Sequence, residues 1–163
     1  MAIVALVLVS YSFAQDQGKN GMFTRVIEAE SGIRNITVSE NIDLVLYNAS
    51  PEEVKVSVPR EQLDKIKITY SNGNLQISAK GFFKTNERIY VYAWVNSLES
   101  LTLRGNSSTR SNDILDASNL RVNIQDEARV ALRSRGKVKV NAPVNYHRLE
   151  EERYHLLLSL DQE

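Results

Sequence analysis

Short apolar alternations separated by polar turns dominate residues 98–141 of this 163-residue sequence. Apolar residues occupy every second position in four blocks: Leu101-x-Leu103, Leu120-x-Val122-x-Ile124, Val130-x-Leu132 and Val138-x-Val140. Alternation with a period of two residues is typical of a β-strand that buries one of its faces. The pattern therefore predicts an all-β fold built from short strands.

Two of these blocks can be superimposed by aligning Leu101 with Leu120. Residues 98–103 and 117–122 then share the order small or apolar, polar, polar, Leu, polar, apolar. A repeat of about 20 residues built from short strands is typical of a solenoid, in which each rung covers the next. A meander of hairpins in a sandwich would give a similar pattern. We favour a short parallel β-solenoid with Leu101 and Leu120 in one apolar column.

The N-terminal half contains a hairpin signal. Asn72 and Gly73 separate two alternating segments, residues 66–70 and 75–79, and both residues tolerate the positive φ of a two-residue hairpin turn. Residues 59–63 are compatible with a single helical turn. We therefore expect a hairpin-containing first half, followed by the solenoid segment.

An aromatic set and an aliphatic set alternate between residues 89 and 95. The aliphatic set is Ile89, Val91, Ala93 and Val95, and we expect it to face the core. The aromatic set is Tyr90, Tyr92 and Trp94, which would form a half-exposed ridge or pack beneath a loop containing Phe82. The ridge is a candidate platform for sugar rings, although large aromatic residues also serve in ordinary packing.

A basic stripe is the second candidate site. Arg133, Arg135, Lys137 and Lys139 alternate without an intervening acid, so strand geometry would place them on one face, opposite Leu132, Val138 and Val140. Arg104 and Arg121 would lie beside them on earlier rungs. Such a stripe could bind an anionic polysaccharide or a lipid headgroup. Alternatively, these cations protect an exposed sheet edge from aggregation.

The N-terminus indicates export. Residues 2–9 are uninterruptedly apolar, and Ser12 and Ala14 are small residues at the spacing of a signal-peptidase site. The apolar run is too short to span a hydrocarbon core of about 30 Å. We predict a signal peptide at 1–14 and a flexible leader at 15–22, although no Lys or Arg precedes the run. A buried N-terminal strand is the alternative. The sequence has no cysteine, so strand pairing and burial must hold the exported fold together.

Residues 144–163 depart from the β pattern and predict a helical tail. Leu149, Leu156, Leu157 and Leu160 fall roughly on one helical face. The two histidines of the chain, His147 and His155, lie in this tail, too far apart in sequence for a helical metal pair.

We predict no catalytic residue, no metal site and no cofactor. The carboxylate pairs Glu52-Glu53 and Asp126-Glu127 are expected in solvated turns, since neighbours on a strand point to opposite faces. The formal net charge is zero, which gives no reason to expect nucleic acid as a partner.

Several segments together give the sequence a family resemblance. They are the strands of residues 42–46 and 54–58, the turn segment Asn72-Gly73-Asn74-Leu75-Gln76-Ile77, and the run from Ser97 through Leu101-Thr102-Leu103 to Gly105. Over about residues 23–143 the chain resembles the "putative auto-transporter adhesin, head GIN domain" family of Bacteroidota-type envelopes. The resemblance implies an exported all-β protein with a right-handed parallel β-helix, an adhesive role and no established catalytic residues. The tail does not resemble this family.

The sequence thus predicts a non-enzymatic exported binding protein of the cell envelope, an adhesin, with a solenoid domain at 23–143 and a tail at 144–163. We expect a periplasmic, outer-surface or extracellular location, no transmembrane span, and an anionic polysaccharide or an envelope protein as partner. The alternative is a periplasmic structural or sensing module that docks on an envelope protein through its strand edges. A carbohydrate-active enzyme is a distant third.

Overall fold

The computed structural model describes residues 22–81 and 88–143. The predicted signal peptide, the predicted helical tail, Phe82 and all of the predicted leader except Met22 lie outside these residues. The described chain is mostly β, as predicted, and a 3₁₀ helix at Arg60–Lys65 forms the predicted helical turn. The strands are β1 (Met22–Glu28), β2 (Asn35–Val38), β3 (Ile42–Asn48), β4 (Glu53–Pro59), β5 (Ile66–Ser71), β6 (Asn74–Ala79), β7 (Ile89–Val95), β8 (Ser100–Leu103), β9 (Ser108–Ser111), β10 (Asn119–Ile124), β11 (Arg129–Ala131) and β12 (Lys137–Asn141).

These strands form two mixed sheets of six strands each. Sheet A has the order β1-β4-β7-β3-β9-β11, and sheet B has the order β12-β10-β8-β2-β6-β5. In sheet A the strands from β7 to β11 are parallel, whereas β4 is antiparallel to both β1 and β7. In sheet B all pairs are parallel except the β5–β6 hairpin. Asn72 and Gly73 close this hairpin with φ angles of 50° and 76°, as the sequence predicts.

The chain crosses repeatedly from sheet B to sheet A. Three pairs of consecutive strands, β2–β3, β8–β9 and β10–β11, each place the first strand in sheet B and the second in sheet A. Successive pairs lie beside one another in parallel, so both sheets grow by one strand with each pair. This pairing agrees with the parallel arrangement expected for residues 98–141.

The predicted register, which aligns Leu101 with Leu120, was wrong. The Cα partner of Leu101 is Val122, and the Cα partner of Leu120 is Val138 in β12. Leu101 and Leu120 are nevertheless both fully buried on the same side of sheet B. A shift of two residues leaves every side chain on its original face, so an alternating apolar pattern cannot distinguish these two registers.

A repeated left-handed turn accompanies the observed register. Glu40, Gly105 and Asp126 adopt φ angles of 65°, 61° and 56°, each two residues beyond the end of a sheet B strand. The backbone N–H of Gly105 donates a hydrogen bond of 2.9 Å to Oδ2 of Asp126. A Cβ atom at Gly105 would lie 3.2 Å from the backbone nitrogen of Glu40. The three crossings are therefore packed against one another.

One apolar core lies between the two sheets. Its fully buried side chains come from both sheets, for example Ile36, Leu101 and Leu120 of sheet B and Leu44 and Val91 of sheet A. Most of the core side chains are Val, Ile and Leu, and the β-branched ones pack well on pleated strands. Two core hydroxyls, on Ser107 and Thr109, have no hydrogen-bond partner among the described residues.

Candidate functional site

The two alternating sets of β7 separate as the sequence predicts. Ile89, Val91, Ala93 and Val95 are each at most 1% exposed and face the core. The aromatic set faces outward on sheet A, where Tyr90 is 49% exposed and Tyr92 and Trp94 are half-buried. The ridge is thus present on the surface of the described chain.

A fourth aromatic residue, Tyr47 of β3, extends this ridge. Tyr47 is the Cα partner of Trp94, and the two rings stack with centroids 5.1 Å apart and planes 13° apart. The ring of Tyr47 also lies 6.5 Å from that of Tyr92. We refer to Tyr47, Tyr90, Tyr92 and Trp94 as the aromatic platform. Tyr47 was not among the predicted site residues, although its alternation with Leu44 and Leu46 indicates an outward side chain.

Two arginines lie on the same outer face, beyond the aromatic platform. Arg110 of β9 is the Cα partner of Val45, and Arg129 of β11 is the Cα partner of Ser108. Both arginine side chains are exposed, and neither forms an ion pair within residues 22–81 and 88–143. We call Arg110 and Arg129 the cationic pair.

The acid nearest to the cationic pair in the sheet is already neutralised. Asp43 binds Arg88 through two hydrogen bonds of 2.6 Å, and it also accepts a hydrogen bond from the Ser108 hydroxyl. Arg88 donates a further hydrogen bond of 3.0 Å to the carbonyl oxygen of Asn106. The hydrogen bond to Asp43 raises the pKa of the Arg88 guanidinium, so this arginine stays charged at any pH at which proteins are handled. Asp43 therefore offsets the charge of Arg88 rather than that of the cationic pair.

Charge changes sign across the outer face of sheet A. Glu53 of β4 is the Cα partner of both Glu28 and Trp94, so two carboxylates lie on the β1–β4 side of the aromatic platform. The cationic pair lies on the opposite, β9–β11 side. One cation, Lys55, is beside Tyr92 on the β4 side. A ligand on the platform thus meets carboxylates at one end and guanidinium groups at the other.

The structure brings together only part of the predicted basic stripe. All six stripe residues are exposed, and Arg121 of β10 is the Cα partner of Lys139 of β12, on the same strand as Lys137. Arg133 and Arg135 lie in the β11–β12 connection, where Arg135 forms an ion pair of 2.7 Å with Asp116.

Arg104, the remaining stripe residue, is separated from this group. It follows the last residue of β8, at the turn that leads into β9, whereas Arg121 is aligned with Ser100 at the start of β8. The stripe is therefore a cluster of Arg121, Lys137 and Lys139 on sheet B, with Arg133 and Arg135 at the adjoining corner.

A cleft of about 610 Å³ lies at one end of the core, beside a buried carboxylate. Glu52 is only 8% exposed and accepts hydrogen bonds from the N–H of Ile33, the N–H of Asn96 at 3.2 Å and the hydroxyl of Ser97 at 2.9 Å. The expectation of a solvated turn was therefore wrong for Glu52, because three donors replace its water. It was right for Asp126 and Glu127, which are exposed in a turn.

No cluster of three potential metal-binding side chains occurs in residues 22–81 and 88–143. In the same residues, no helix is long and apolar enough to cross a membrane.

Comparisons with solved structures show that several bacterial proteins share this fold. A putative adhesin from Parabacteroides distasonis superimposes with a TM-score of 0.63 at 20% identity, and one from Parabacteroides merdae with a TM-score of 0.62 at 19% identity. In both comparisons the match covers 77% of this chain and 54% of the other chain. A putative lipid binding protein from Parabacteroides distasonis gives a TM-score of 0.52 at 15% identity, covering 77% of this chain and 61% of that one.

No curated protein matches the sequence significantly. A family model does match it, over residues 33–146, which is more than half of the chain and includes strands β2 to β12. The chain therefore belongs to the family described as "putative auto-transporter adhesin, head GIN domain".

Proposed function

We propose that this protein is an exported, non-enzymatic adhesin of the cell envelope that binds polysaccharide on its aromatic platform. The observation that carries the proposal is the stacked pair of Tyr47 and Trp94 on the outer face of sheet A, with Tyr92 beside it. Membership of an adhesin family and the adhesin names of two structural neighbours support the adhesive role.

The physical basis is the match between flat aromatic rings and sugar rings. A pyranose has an apolar C–H face that packs on an aromatic ring, while its hydroxyl rim remains in water. Tyr and Trp provide a large, rigid contact area whose ordering costs little conformational entropy. The platform lies on an open sheet face rather than in a deep pocket, which suits a long polymer held at several weak points.

We propose that the strand pairs β2–β3, β8–β9 and β10–β11 are rungs of a short right-handed parallel β-solenoid. The parallel pairing in both sheets and the aligned turns at Glu40, Gly105 and Asp126 support this architecture. We further propose that residues 1–14 direct export to the periplasm, the outer surface or the medium.

The proposal can be tested by affinity electrophoresis of the purified chain in gels that contain a soluble polysaccharide. We expect retardation of the unmodified protein, and a loss of at least five-fold in apparent affinity on Trp94→Ala and on Tyr90→Ala. Ile114→Ala is the matched control, because Ile114 is an exposed apolar residue outside the platform. Equal retardation of the unmodified protein and the three variants would contradict the proposal. So would the absence of any retardation of the unmodified protein in every polymer tested.

A periplasmic structural or sensing module is the second candidate function. Strand β12 pairs with β10 on one side, and its other edge has no partner among the described residues. Open strand edges can pair with a strand of another protein. Cross-linking in intact cells should then attach an envelope protein to β12, for example through a photoreactive group at Lys139, and not to the outer face of sheet A.

The cluster of Arg121, Lys137 and Lys139 is a third proposed site, for an anionic polysaccharide or a lipid headgroup. Its support is the direct pairing of Arg121 with Lys139 on the exposed face of sheet B. Charge reversal at Arg121, Lys137 and Lys139 should abolish salt-sensitive retention on an anionic polysaccharide. Unchanged retention would exclude this site.

A further inference from the structure

We infer that the ligand of the aromatic platform is an acidic polysaccharide whose carboxylate is bound by the cationic pair, Arg110 and Arg129. This inference rests on the proposed function and names the ligand class. It assigns the recognition of a sugar carboxylate to sheet A, as an alternative to the anion site proposed on the cluster of sheet B.

The platform and the cationic pair share one continuous row across the sheet. Tyr92, Val45 and Arg110 are successive Cα partners on β7, β3 and β9. Neighbouring strands are about 4.8 Å apart, so Tyr92 and Arg110 are separated by roughly 10 Å. Val45 between them is only 1% exposed, so this position is covered and offers a ligand no contact surface of its own. A ligand that contacts both side chains therefore extends across the Val45 position.

Charge gives the ligand a preferred orientation on this face. Arg110 and Arg129 are exposed and lack ion-pair partners in the described chain, while Asp43 is held by Arg88. On the opposite side of the aromatic rings the two acids Glu28 and Glu53 outnumber the one cation, Lys55, and disfavour a carboxylate there. A carboxylated sugar should thus lie against the stacked pair of Tyr47 and Trp94 with its acid group directed towards β9 and β11.

Guanidinium groups suit this task. An arginine can form two parallel hydrogen bonds to one carboxylate, which are shorter and stronger than bonds between neutral groups. Because both arginines are exposed, their contribution should fall as salt screens it over about 8–10 Å.

Sheet B lacks the second half of such a site. The Cα partners of Arg121 are Ser100 and Lys139, and the next strand in that row contributes Asn35. This row offers charge and hydrogen bonds but no aromatic ring. It can attract an anion without stacking a sugar.

Polygalacturonate and its highly methyl-esterified form are matched probes, because esterification removes the carboxylate charge and keeps the sugar backbone. We expect the unmodified protein to bind polygalacturonate at least ten-fold more tightly than the ester at low salt, measured by biolayer interferometry. The double variant Arg110→Gln, Arg129→Gln should reduce this preference to less than three-fold and leave binding of the ester unchanged. Both replaced residues are exposed, and circular dichroism would verify that the variant folds.

The control is the double variant Lys67→Gln, Lys80→Gln, which removes two exposed charges at the β5–β6 end of sheet B, away from β10 and β12, and should retain the full preference. The double variant Arg121→Gln, Lys139→Gln tests the competing anion site on sheet B. Equal binding of the two polymers by the unmodified protein, or loss of the preference in Arg121→Gln, Lys139→Gln and not in Arg110→Gln, Arg129→Gln, would overturn the inference. In either case a loss of binding on Trp94→Ala would leave the proposed function intact. Absence of binding to both polymers would overturn the inference, and absence of binding to every polymer in the electrophoresis assay would overturn the proposed function as well.

Discussion

The Thr109 hydroxyl of β9 is buried and has no hydrogen-bond partner among the described residues. The Cα partners of Thr109 are the apolar residues Leu44 and Val130. Thr109→Val keeps the shape and removes the unsatisfied group, so we expect a gain of about 1 kcal/mol in the free energy of unfolding. Urea denaturation measures this change in the free energy of unfolding. Thr102→Val, on the half-buried outer face of sheet B, should change stability less, and destabilisation by Thr109→Val would show that the hydroxyl has a partner.

Glu52 closes one end of the core through its three accepted hydrogen bonds. Glu52→Gln replaces one acceptor oxygen with an NH₂ group, which would face a donor. We expect a loss of about 1–3 kcal/mol, since a buried donor is left unsatisfied. Glu53→Gln is the control, because the Glu53 side chain is half-buried on the outer face and forms no hydrogen bond within the described chain. Equal melting temperatures of the two variants would contradict this role of Glu52.

Sequence alone predicts which side a strand residue faces far better than it predicts the partner of that residue. The outward direction of Tyr90, Tyr92 and Trp94 follows from alternation within one strand. Tyr47 stacks on Trp94, and Glu52 accepts a hydrogen bond from Asn96, so both depend on contacts with the end of β7. Strands β4, β5 and β6 lie between these residues and their partners in the sequence. No local pattern encodes such contacts, so the predicted ridge lacked its fourth ring and the carboxylate was expected in water.

At the scale of elements, hairpins and strands could be predicted, but the register between parallel strands could not. The β5–β6 hairpin is specified locally by Asn72 and Gly73, whose positive φ angles close it. Parallel strands are joined by long connections, and registers that differ by two residues bury the same side chains. The left-handed turns at Gly105 and Asp126 carry the missing information, since their spacing in the sequence equals that of the Cα partners in β8 and β10. Position 126 is occupied by Asp and not by Gly, so the repeat of the Gly105 turn is not visible in the sequence.

Strand β12 depends on a close backbone approach at Gly136. A Cβ atom there would lie 2.2 Å from the carbonyl oxygen of Ala117 and 2.4 Å from that of Ser118. Gly136→Ala should therefore displace the connection into β12 and cost about 1–3 kcal/mol, as overpacking against an unyielding backbone does. The hydrogen bond of 3.0 Å from the Lys137 N–H to the Ser118 carbonyl should be lost with it.

Hydrogen exchange of the β12 amides and urea denaturation would measure this effect. Ser118→Ala is the control, because it changes an exposed side chain at the same contact and leaves the carbonyl in place. Unchanged protection of β12 in Gly136→Ala would show that the connection can move without cost.

For the whole molecule, the two sheets are coupled because the chain passes through both of them in each strand pair. Leu101 of β8 is aligned with Val122 of β10 in sheet B, and Thr109 of β9 is aligned with Val130 of β11 in sheet A. Both alignments join residues with the same separation in the sequence, so the β10–β11 pair repeats the β8–β9 pair as a unit. This shared register links the candidate site to the fold, because it places the cationic pair on neighbouring strands of one face.

Engineered disulfides can test this shared register in both sheets, since the chain has no cysteine of its own. Cα partners on neighbouring strands are about 4.8 Å apart, within the range that a disulfide spans. Oxidation should therefore cross-link Thr102→Cys with Asn123→Cys in sheet B, and Arg110→Cys with Ala131→Cys in sheet A. Thr102→Cys with Arg121→Cys is the comparison pair, because these residues would be aligned if Leu101 faced Leu120. In the observed register they are diagonal neighbours whose Cα atoms are about 8 Å apart, so this pair should remain reduced. Intact-mass spectrometry distinguishes the outcomes, and cross-linking of this diagonal pair in preference to the other two would refute the common register.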